Sequence, residues 1–415
     1  MTKFFSRLMK AVDVTADTIG FRPRFIGAAE MIADAEKQAG RSFKDRAFVR
    51  PLEILLKSYN EEADLSLFGG LAVKWDIARF LANLLRLEEE EEKSPDILNE
   101  PIAQPIFITG LPRSGTTFLH TLLSQDSSNR VPLSWQTIYP YPLARDVRRD
   151  GRKERVDQQF RMFERLSPGV GSLHPLAATT PQECTEITAH VFQSLRFDTT
   201  HFVPSYQQWL IEEGHLEAFR FHKRFLQHLQ HQTGRGQWVL KCPDHVFTLS
   251  AIKEIYPDAR FVFVHRDPLS VLPSVAKLTE LLRAPFTRTL NREQIGQQVS
   301  ERWIEGVGLI TSDAEPQDRM FHVHYRSLIA DPAGTVDKLY RHFGMEMEEK
   351  ARADIGNFIR NTPRGGYGIN RYDFGESGLD AAALREQFRP YMTAFGIETE
   401  WKMHPNTTPA ALTPA

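Results

Sequence analysis

A glycine-bounded loop in the first third of the chain carries the strongest chemical signal. An apolar, partly β-branched run at 105–109 is followed by a loop at 110–115, and a helix-like segment begins at Thr116. In this arrangement, backbone N–H groups and the positive end of a helix hold an anionic phosphate. The spacing approaches that of a nucleoside-triphosphate loop, but a threonine replaces the lysine and Arg113 supplies the charge. We therefore expect a phosphate-like ligand other than a triphosphate with magnesium.

Two further strand-like segments end at basic residues. Segment 237–241 ends at Lys241, and segment 260–265 is followed by Arg266. In an open parallel sheet, ligands bind beyond the carboxyl ends of the strands. Arg113, Lys241 and Arg266 are therefore expected to meet around one anionic ligand, although a surface ion pair between Arg266 and Asp267 is an alternative for Arg266.

These motifs resemble those of the sulfotransferases that use 3′-phosphoadenosine-5′-phosphosulfate (PAPS), over residues 105–397 and most closely in the bacterial branch related to protein-tyrosine and carbohydrate sulfotransferases. The resemblance implies that Arg266 and Ser274 bind the 3′-phosphate and that a C-terminal loop containing Arg364 and Tyr367 closes over the nucleotide. It also implies that the loop residues hold the 5′-phosphosulfate, namely Arg113, Ser114, Gly115, Thr116 and Thr117.

The same resemblance implies a catalytic role for Lys241, whose charge would neutralise the bridging oxygen as it leaves. A general base is harder to assign, because tyrosine-sulfating relatives take a glutamate from a segment that here, at 129–136, contains no acid. Three candidates remain: His245, Glu183 and His174. Cytosolic relatives pair a lysine and a histidine in the loop after this strand, so His245 is the first candidate and Glu183 the second.

A sulfuryl group carries less charge than a γ-phosphoryl group, so we expect transfer without a metal ion. The acceptor is expected to be a small molecule with a hydroxyl group, apolar or phenolic. The aromatic residues considered for its pocket, most of them expected in the core, are Trp135, Tyr139, Tyr141, Phe192, Phe197, Phe202, Tyr206 and Trp209. A kinase-like phosphotransferase and a non-catalytic nucleotide-binding protein are the alternatives. Clustered histidines are expected to be solvated rather than metal ligands: His215, His222, His228, His231, His322 and His324.

Composition limits the remaining possibilities. A net charge of −2 over 415 residues disfavours nucleic acids and other polyanions as main partners. Two cysteines, the lack of an apolar run of about 20 residues and a short apolar start predict a cytoplasmic protein without a membrane span. The oligomeric state has no signal in the sequence.

Strands that alternate with helical patterns predict a three-layer α/β fold of the P-loop type, with a parallel sheet flanked by helices. The strands are expected at 105–109, 237–241, 260–265 and 320–326. The expected organisation is an N-terminal helical region at 1–100, an α/β domain at 101–400 with a helical acceptor-side insertion at 130–235, and a disordered tail at 401–415.

Overall fold

A parallel sheet lies at the centre of the computed structural model, which describes residues 27–143, 150–174, 176–312, 317–362, 374 and 377–400. The strands are β1 (Ile106–Gly110), β2 (Asn129–Arg130), β3 (Gln237–Lys241), β4 (Arg260–His265) and β5 (Met320–His324). Their order is β2-β3-β1-β4-β5, and every neighbouring pair is parallel. The predicted parallel α/β fold is confirmed. The two-residue strand β2 was not predicted.

The central strands are apolar without interruption because helices cover both faces of the sheet. Successive side chains of a strand point to opposite faces. Accordingly, Phe107 belongs to one hydrophobic cluster, and Ile106 and Ile108 belong to another. Phe261 and Val262 on β4 divide in the same way. The strands therefore separate two packed layers of helices.

Helices fill both outer layers and most of the described part of the N-terminal region, from residue 27 onward. In chain order they are α1 (Ala28–Ala39), α2 (Val49–Glu61), α3 (Leu67–Lys93), α4 (Thr116–Leu123), α5 (Ser134–Ile138), α6 (Arg152–Leu166), α7 (Val170–Leu173), α8 (Cys184–Thr188), α9 (Arg196–Thr200), α10 (Pro204–Glu213), α11 (Leu216–Thr233), α12 (Leu249–Ile255), α13 (Pro268–Arg283), α14 (Arg292–Ser312), α15 (Tyr325–Ala330), α16 (Pro332–His342), α17 (Glu349–Asn361) and α18 (Ala381–Ala394). Short 3₁₀ helices occur at Pro95–Asn99, Ala189–Val191, Pro243–Phe247 and Gln317–Arg319. Within the described ranges, no helix has both the length and the apolar content needed to cross a bilayer.

The long helix α3 packs the N-terminal region against the rest of the protein. Ser66 caps its start, since the Ser66 hydroxyl accepts the Gly69 N–H at 2.9 Å. Its apolar side chains at helical spacing are buried, and two of them, Phe80 and Leu81, are fully enclosed. Helices α1, α2 and α3 contribute to the same hydrophobic cluster as one face of the sheet. The division of the chain at residue 100 stays a prediction.

Two histidines of α11 differ from the expectation of solvated side chains. His222 and His228 are fully buried. The ring of His222 bonds the Tyr256 hydroxyl at 2.8 Å, and that of His228 bonds the Tyr141 hydroxyl at 2.9 Å. The prediction of solvated histidines was wrong here because both rings lie on the face of α11 that packs inward, where each bonds a tyrosine hydroxyl.

Candidate active site

The predicted phosphate loop joins β1 to α4, and its glycines are required by its geometry. Gly110 has φ +125°, and a Cβ there would lie 2.3 Å from the Val264 carbonyl oxygen. Gly115 has φ +97° and directly precedes α4. Ser114 closes the turn by donating to the Leu111 carbonyl at 2.5 Å. Because the first N–H groups of a helix have no intrahelical acceptors, the start of α4 offers donors to an anion.

Arg113 adopts a left-handed backbone within this loop, with φ +61°. A non-glycine residue in that region costs about 1 kcal/mol and persists only where its surroundings hold it. Its Nε donates to the Ser274 hydroxyl at 3.2 Å, and its guanidinium also donates to the Leu173 carbonyl. Its own carbonyl accepts from Arg266 at 2.7 Å. Three separate parts of the fold therefore hold this residue.

Arg266 lies beside the loop, as the sequence predicts. Its guanidinium stacks on the Tyr325 ring, 3.9 Å from the centroid, and pairs with the Glu400 carboxylate at 3.1 Å. Ser274 is buried on α13 and contacts the same loop through Arg113. A planar guanidinium that already binds a carboxylate has the geometry to bind phosphate oxygens.

The end of β3 places a buried lysine against an acid. Lys241 is 1% exposed, and its Nζ donates to Glu183 Oε1 at 2.5 Å. Glu183 immediately precedes α8. The Cys242 thiol lies 3.8 Å from the other oxygen of Glu183, and both Cys242 and Cys184 are free and buried. A buried ammonium requires such a partner, because an isolated charge out of water is strongly destabilised.

The charges of this group set its protonation states. Burial alone would raise the pKa of Glu183, but the nearby Lys241 and His174 outweigh it and hold that pKa below its ordinary value. Burial lowers the pKa of His174, against the opposing effect of Glu183. At neutral pH, Glu183 is therefore a carboxylate and His174 is a neutral imidazole. Both are in the form that accepts a proton.

A cavity of about 690 Å³ opens beside this group. Pro112 of the loop, His174 and Glu183 form one part of its wall, and Leu71 and Trp75 of α3 form another. Within the described residues, none of the eight aromatic residues considered for an acceptor pocket lines it. Its aromatic wall consists of Phe68, Trp75, Phe160, Phe163, Phe286 and Trp303.

Comparison with known proteins decides the family. The model of the Sulfotransferase family matches residues 105–349, which is more than half of the chain and contains the loop, Glu183, Lys241, Arg266 and Ser274. The chain belongs to the sulfotransferase family. The resemblance drawn from the loop motif is confirmed.

Mycobacterial proteins are similar to this sulfotransferase in sequence and structure. Proteins of Mycobacterium bovis and Mycobacterium tuberculosis, each named omega-hydroxy-beta-dihydromenaquinone-9 sulfotransferase Stf3, are 27% identical over 263 residues, or 58% of this chain and 63% of theirs. The chain thus matches less than two thirds of the length of these relatives. The crystal structure of sulfotransferase STF1 from M. tuberculosis aligns with 89% of this chain and all of its own (28% identity, TM-score 0.78). That of sulfotransferase STF9 from Mycobacterium avium aligns with 92% and all of its own (26% identity, TM-score 0.82).

The structure separates the predicted base candidates of the sulfotransferase. The 3₁₀ helix after Lys241 turns His245 into the core, where its ring packs 5.1 Å from that of Phe107, and burial holds its pKa well below the ordinary value. Neither ring nitrogen has a hydrogen-bond partner in the described structure. Glu183 and His174 line the large cavity, whereas His245 does not. The first-ranked candidate is therefore placed apart from the other two. Arg364 and Tyr367 lie outside the described residues.

An ionic cluster in the cavity wall had no signal in the sequence. Asp76 of α3 pairs with Arg79 at 2.5 Å and with Arg196 at 2.6 Å. Glu186 pairs with Arg79 at 2.8 Å. These residues come from three separate helices and form no motif, so only the fold reveals that they meet. The cluster joins the N-terminal helices to the cavity of the sulfotransferase.

We expect Asp76→Asn to lower the free energy of unfolding by about 3 kcal/mol at pH 7, because it leaves the buried Arg79 and the partly buried Arg196 sharing the single carboxylate of Glu186. Although burial alone would raise the pKa of Asp76, Arg196 and Arg79 lower it well below its ordinary value. The carboxylate therefore contributes stability above the unfolded pKa of about 3.9, and this is lost as pH falls through the lower folded pKa. Urea unfolding at pH 7 and pH 3 tests this, with Asp34→Asn, at an exposed position of α1, as control. Equal stability of Asp76→Asn and the wild type at pH 7 would contradict it.

Proposed function

We propose that this sulfotransferase transfers a sulfuryl group from PAPS to the hydroxyl group of a small apolar or phenolic acceptor, without a metal ion. The observation that carries the proposal is the Lys241–Glu183 pair, whose Glu183 lines a largely apolar cavity together with Pro112 of the phosphate loop. The free, buried thiols of Cys184 and Cys242 fit a reducing compartment such as the cytoplasm.

The residues at the strand ends fit the donor. PAPS carries the activated sulfuryl group on the phosphate at the 5′ position of its ribose, and it has a second phosphate at the 3′ position. The N–H groups at the start of α4, with the hydroxyls of Thr116 and Thr117, would hold the 5′-phosphosulfate. Arg266 and Ser274 would hold the 3′-phosphate, which requires Arg266 to exchange Glu400 for phosphate oxygens. Arg113 connects these two groups of residues through its contacts with Ser274 and Arg266.

Glu183 and Lys241 have complementary roles in the proposed reaction. The acceptor oxygen forms a bond to sulfur while the bond from sulfur to the bridging oxygen of the nucleotide breaks. Glu183 accepts the hydroxyl proton, and Lys241 offsets the negative charge that develops on the departing bisphosphate. Their present pairing at 2.5 Å holds the two side chains together before substrates arrive. His174 is the second candidate base on this wall.

The cavity and the relatives support the proposed acceptor class. Six aromatic rings and several aliphatic side chains form much of the wall, beside the ionic cluster, so a hydroxylated apolar molecule would bury its surface against them. The relatives from M. bovis and M. tuberculosis are named for an omega-hydroxy-dihydromenaquinone, an apolar molecule that carries a hydroxyl group. A screen with radiolabelled PAPS against phenols, sterols, hydroxylated lipids and anionic glycans tests the class. Transfer to glycans alone would contradict it.

Nucleotide choice tests the donor. We expect calorimetric titration to show tight binding of 3′,5′-bisphosphoadenosine, at least about tenfold tighter than ATP, because only the bisphosphate offers a 3′-phosphate to Arg266 and Ser274. EDTA should leave the affinity unchanged. Tighter binding of ATP with magnesium would favour a kinase-like phosphotransferase instead. Release of the bisphosphate on adding an acceptor would exclude a non-catalytic nucleotide-binding protein.

We expect Arg266→Ala to raise the dissociation constant of the bisphosphate at least about tenfold, because a charged hydrogen-bonded partner contributes about 1.5–3 kcal/mol. Glu400→Gln is the matched control. It removes the competing carboxylate and keeps the guanidinium, so affinity should stay equal or increase. Calorimetry measures both variants. An unchanged constant for Arg266→Ala would remove Arg266 from the donor site.

A further inference from the structure

Exposed apolar side chains surround the opening of the large cavity. Leu71 and Trp75 lie one turn apart on α3 and are 69% and 45% exposed, and Met162 on α6 is 50% exposed. All three also line the cavity. Such side chains are unfavourable in water and mark an interaction surface when they are contiguous.

The two helices that carry these side chains are joined by aromatic packing. The ring of Phe286 stacks on Phe68 of α3 and on Phe163 of α6, with centroids 6.0 Å apart in both pairs. Phe68 is one turn before Leu71, and Phe163 is next to Met162. The exposed side chains therefore belong to one surface around the opening.

Basic residues stand beside the apolar ones on both helices. On α3, the spacing places Lys74 on the same exposed face as Leu71 and Trp75. On α6, Arg161 precedes Met162 and Arg165 follows it at helical spacing, and both are exposed. We define the mouth patch as Leu71, Lys74, Trp75, Arg161, Met162 and Arg165.

The acids of α6 nearest to the mouth patch offset only part of its charge. Asp157 accepts the N–H of Ala178 at 2.7 Å. Glu164 is exposed, and its Oε1 lies 2.0 Å from the position that a Cβ on Gly171 would take. With Lys74, Arg161 and Arg165 beside Glu164, the exposed charge of this surface is net positive, in a chain whose net charge is −2.

We propose that the mouth patch docks on the surface of an anionic lipid bilayer and that the apolar acceptor enters the cavity from that bilayer. Tryptophan and aliphatic side chains are favourable at the boundary between headgroups and acyl chains, and lysine and arginine are attracted to anionic headgroups. The route of the acceptor rests on the proposed function, whereas docking itself does not.

A second copy of the chain fits the mouth patch less well. The usual contact between identical subunits is two-fold, so the same patch faces itself. Lys74, Arg161 and Arg165 would then lie on both sides of the contact, where their like charges repel one another. An anionic bilayer complements both the charge and the apolar side chains of this surface.

Flotation of the full chain with vesicles tests the proposal without substrates. We expect binding to vesicles of equimolar phosphatidylcholine and phosphatidylglycerol, and at least about tenfold weaker binding to phosphatidylcholine alone. The triple variant Leu71→Ser, Trp75→Ser, Met162→Ser should bind anionic vesicles at least about tenfold more weakly. Lys74→Glu, Arg161→Glu, Arg165→Glu should lose the preference for anionic vesicles.

Matched controls separate this surface from general hydrophobicity and charge. Leu98→Ser, Ile211→Ser, Leu309→Ser changes side chains that are 38–49% exposed and lie outside the cavity lining. Lys37→Glu, Lys57→Glu, Arg389→Glu changes the net charge equally on other helices. The controls should bind vesicles like the wild type, and unfolding midpoints confirm that each variant is folded.

Absence of vesicle binding, or equal losses in the controls, would overturn the proposal. Light scattering tests for a dimer. If the mouth-patch variants alone dissociate a dimer and leave vesicle binding unchanged, the occupant is a second copy of the chain and the proposal is overturned. Vesicle binding by a protein that fails to bind 3′,5′-bisphosphoadenosine would retain the docking surface and reject the proposed function.

Discussion

Replacement of Lys241 by methionine is expected to reduce the rate of sulfuryl transfer by about 10²–10³-fold, while the dissociation constant of 3′,5′-bisphosphoadenosine changes only a few-fold. The methionine retains the length of the buried side chain but removes the charge that would stabilise the departing bisphosphate. Single-turnover transfer with saturating donor measures the rate, and calorimetry measures binding. Equal losses in rate and affinity would make Lys241 a binding residue only.

A control is needed because Lys241→Met leaves the Glu183 carboxylate without its partner at 2.5 Å. The double variant Lys241→Met, Glu183→Gln removes both charges. It should unfold at higher urea concentration than Lys241→Met alone, because the uncompensated charge is gone. Its transfer rate should stay low. Recovery of the rate in the double variant would show that the single variant is inactive because of its altered stability.

Glu183→Gln is expected to lower transfer by about 10²–10⁴-fold and to leave bisphosphate affinity within a few-fold, because an amide cannot accept the hydroxyl proton. The pKa of Glu183 is held below its ordinary value by Lys241 and His174 despite burial. The active carboxylate is therefore present above that lowered pKa and is lost only as pH falls through it. The wild-type rate should accordingly be flat between about pH 6 and pH 8.

Histidine variants provide the controls for the base. His245→Asn should retain transfer, because its ring lies outside the wall of the large cavity. His174→Asn should retain most of it if Glu183 is the base. If Glu183→Gln leaves the transfer rate unchanged and His174→Asn abolishes transfer, the general base is His174. If only His245→Asn abolishes transfer, the roles inferred from the positions of the three residues are wrong.

Local sequence predicts the parts of this protein that depend on neighbouring residues. The phosphate loop and the strands that end near Lys241 and Arg266 are short patterns, in which glycines, β-branched residues and strand-end charges determine the structure. The spacing of Arg266 and Ser274 is likewise local. Strand β2 was missed because two residues carry no periodicity. The direction of His245 depends on one turn of 3₁₀ helix that the pattern does not specify.

Long-range pairs could not be predicted from one sequence. Lys241 and Glu183 are 58 residues apart, and Arg266 and Glu400 are 134 residues apart. Their contacts arise from packing that brings distant segments together, and the local sequence of one segment does not predict its partner in the other. The same limit applies to the cavity, whose wall includes Leu71 and Trp75 from the N-terminal region as well as the predicted loop.

The two cysteines offer a direct measure of how often the centre of the protein opens. Each directly follows a member of the central charge pair, since Cys184 follows Glu183 and Cys242 follows Lys241. Burial raises the pKa of both thiols, so neither is a reactive thiolate in the closed protein. Modification by a thiol reagent therefore requires transient opening around the pair, and its rate reports the free energy of that opening. Slower labelling in the presence of a nucleotide or an alcohol would show how strongly that ligand closes the protein.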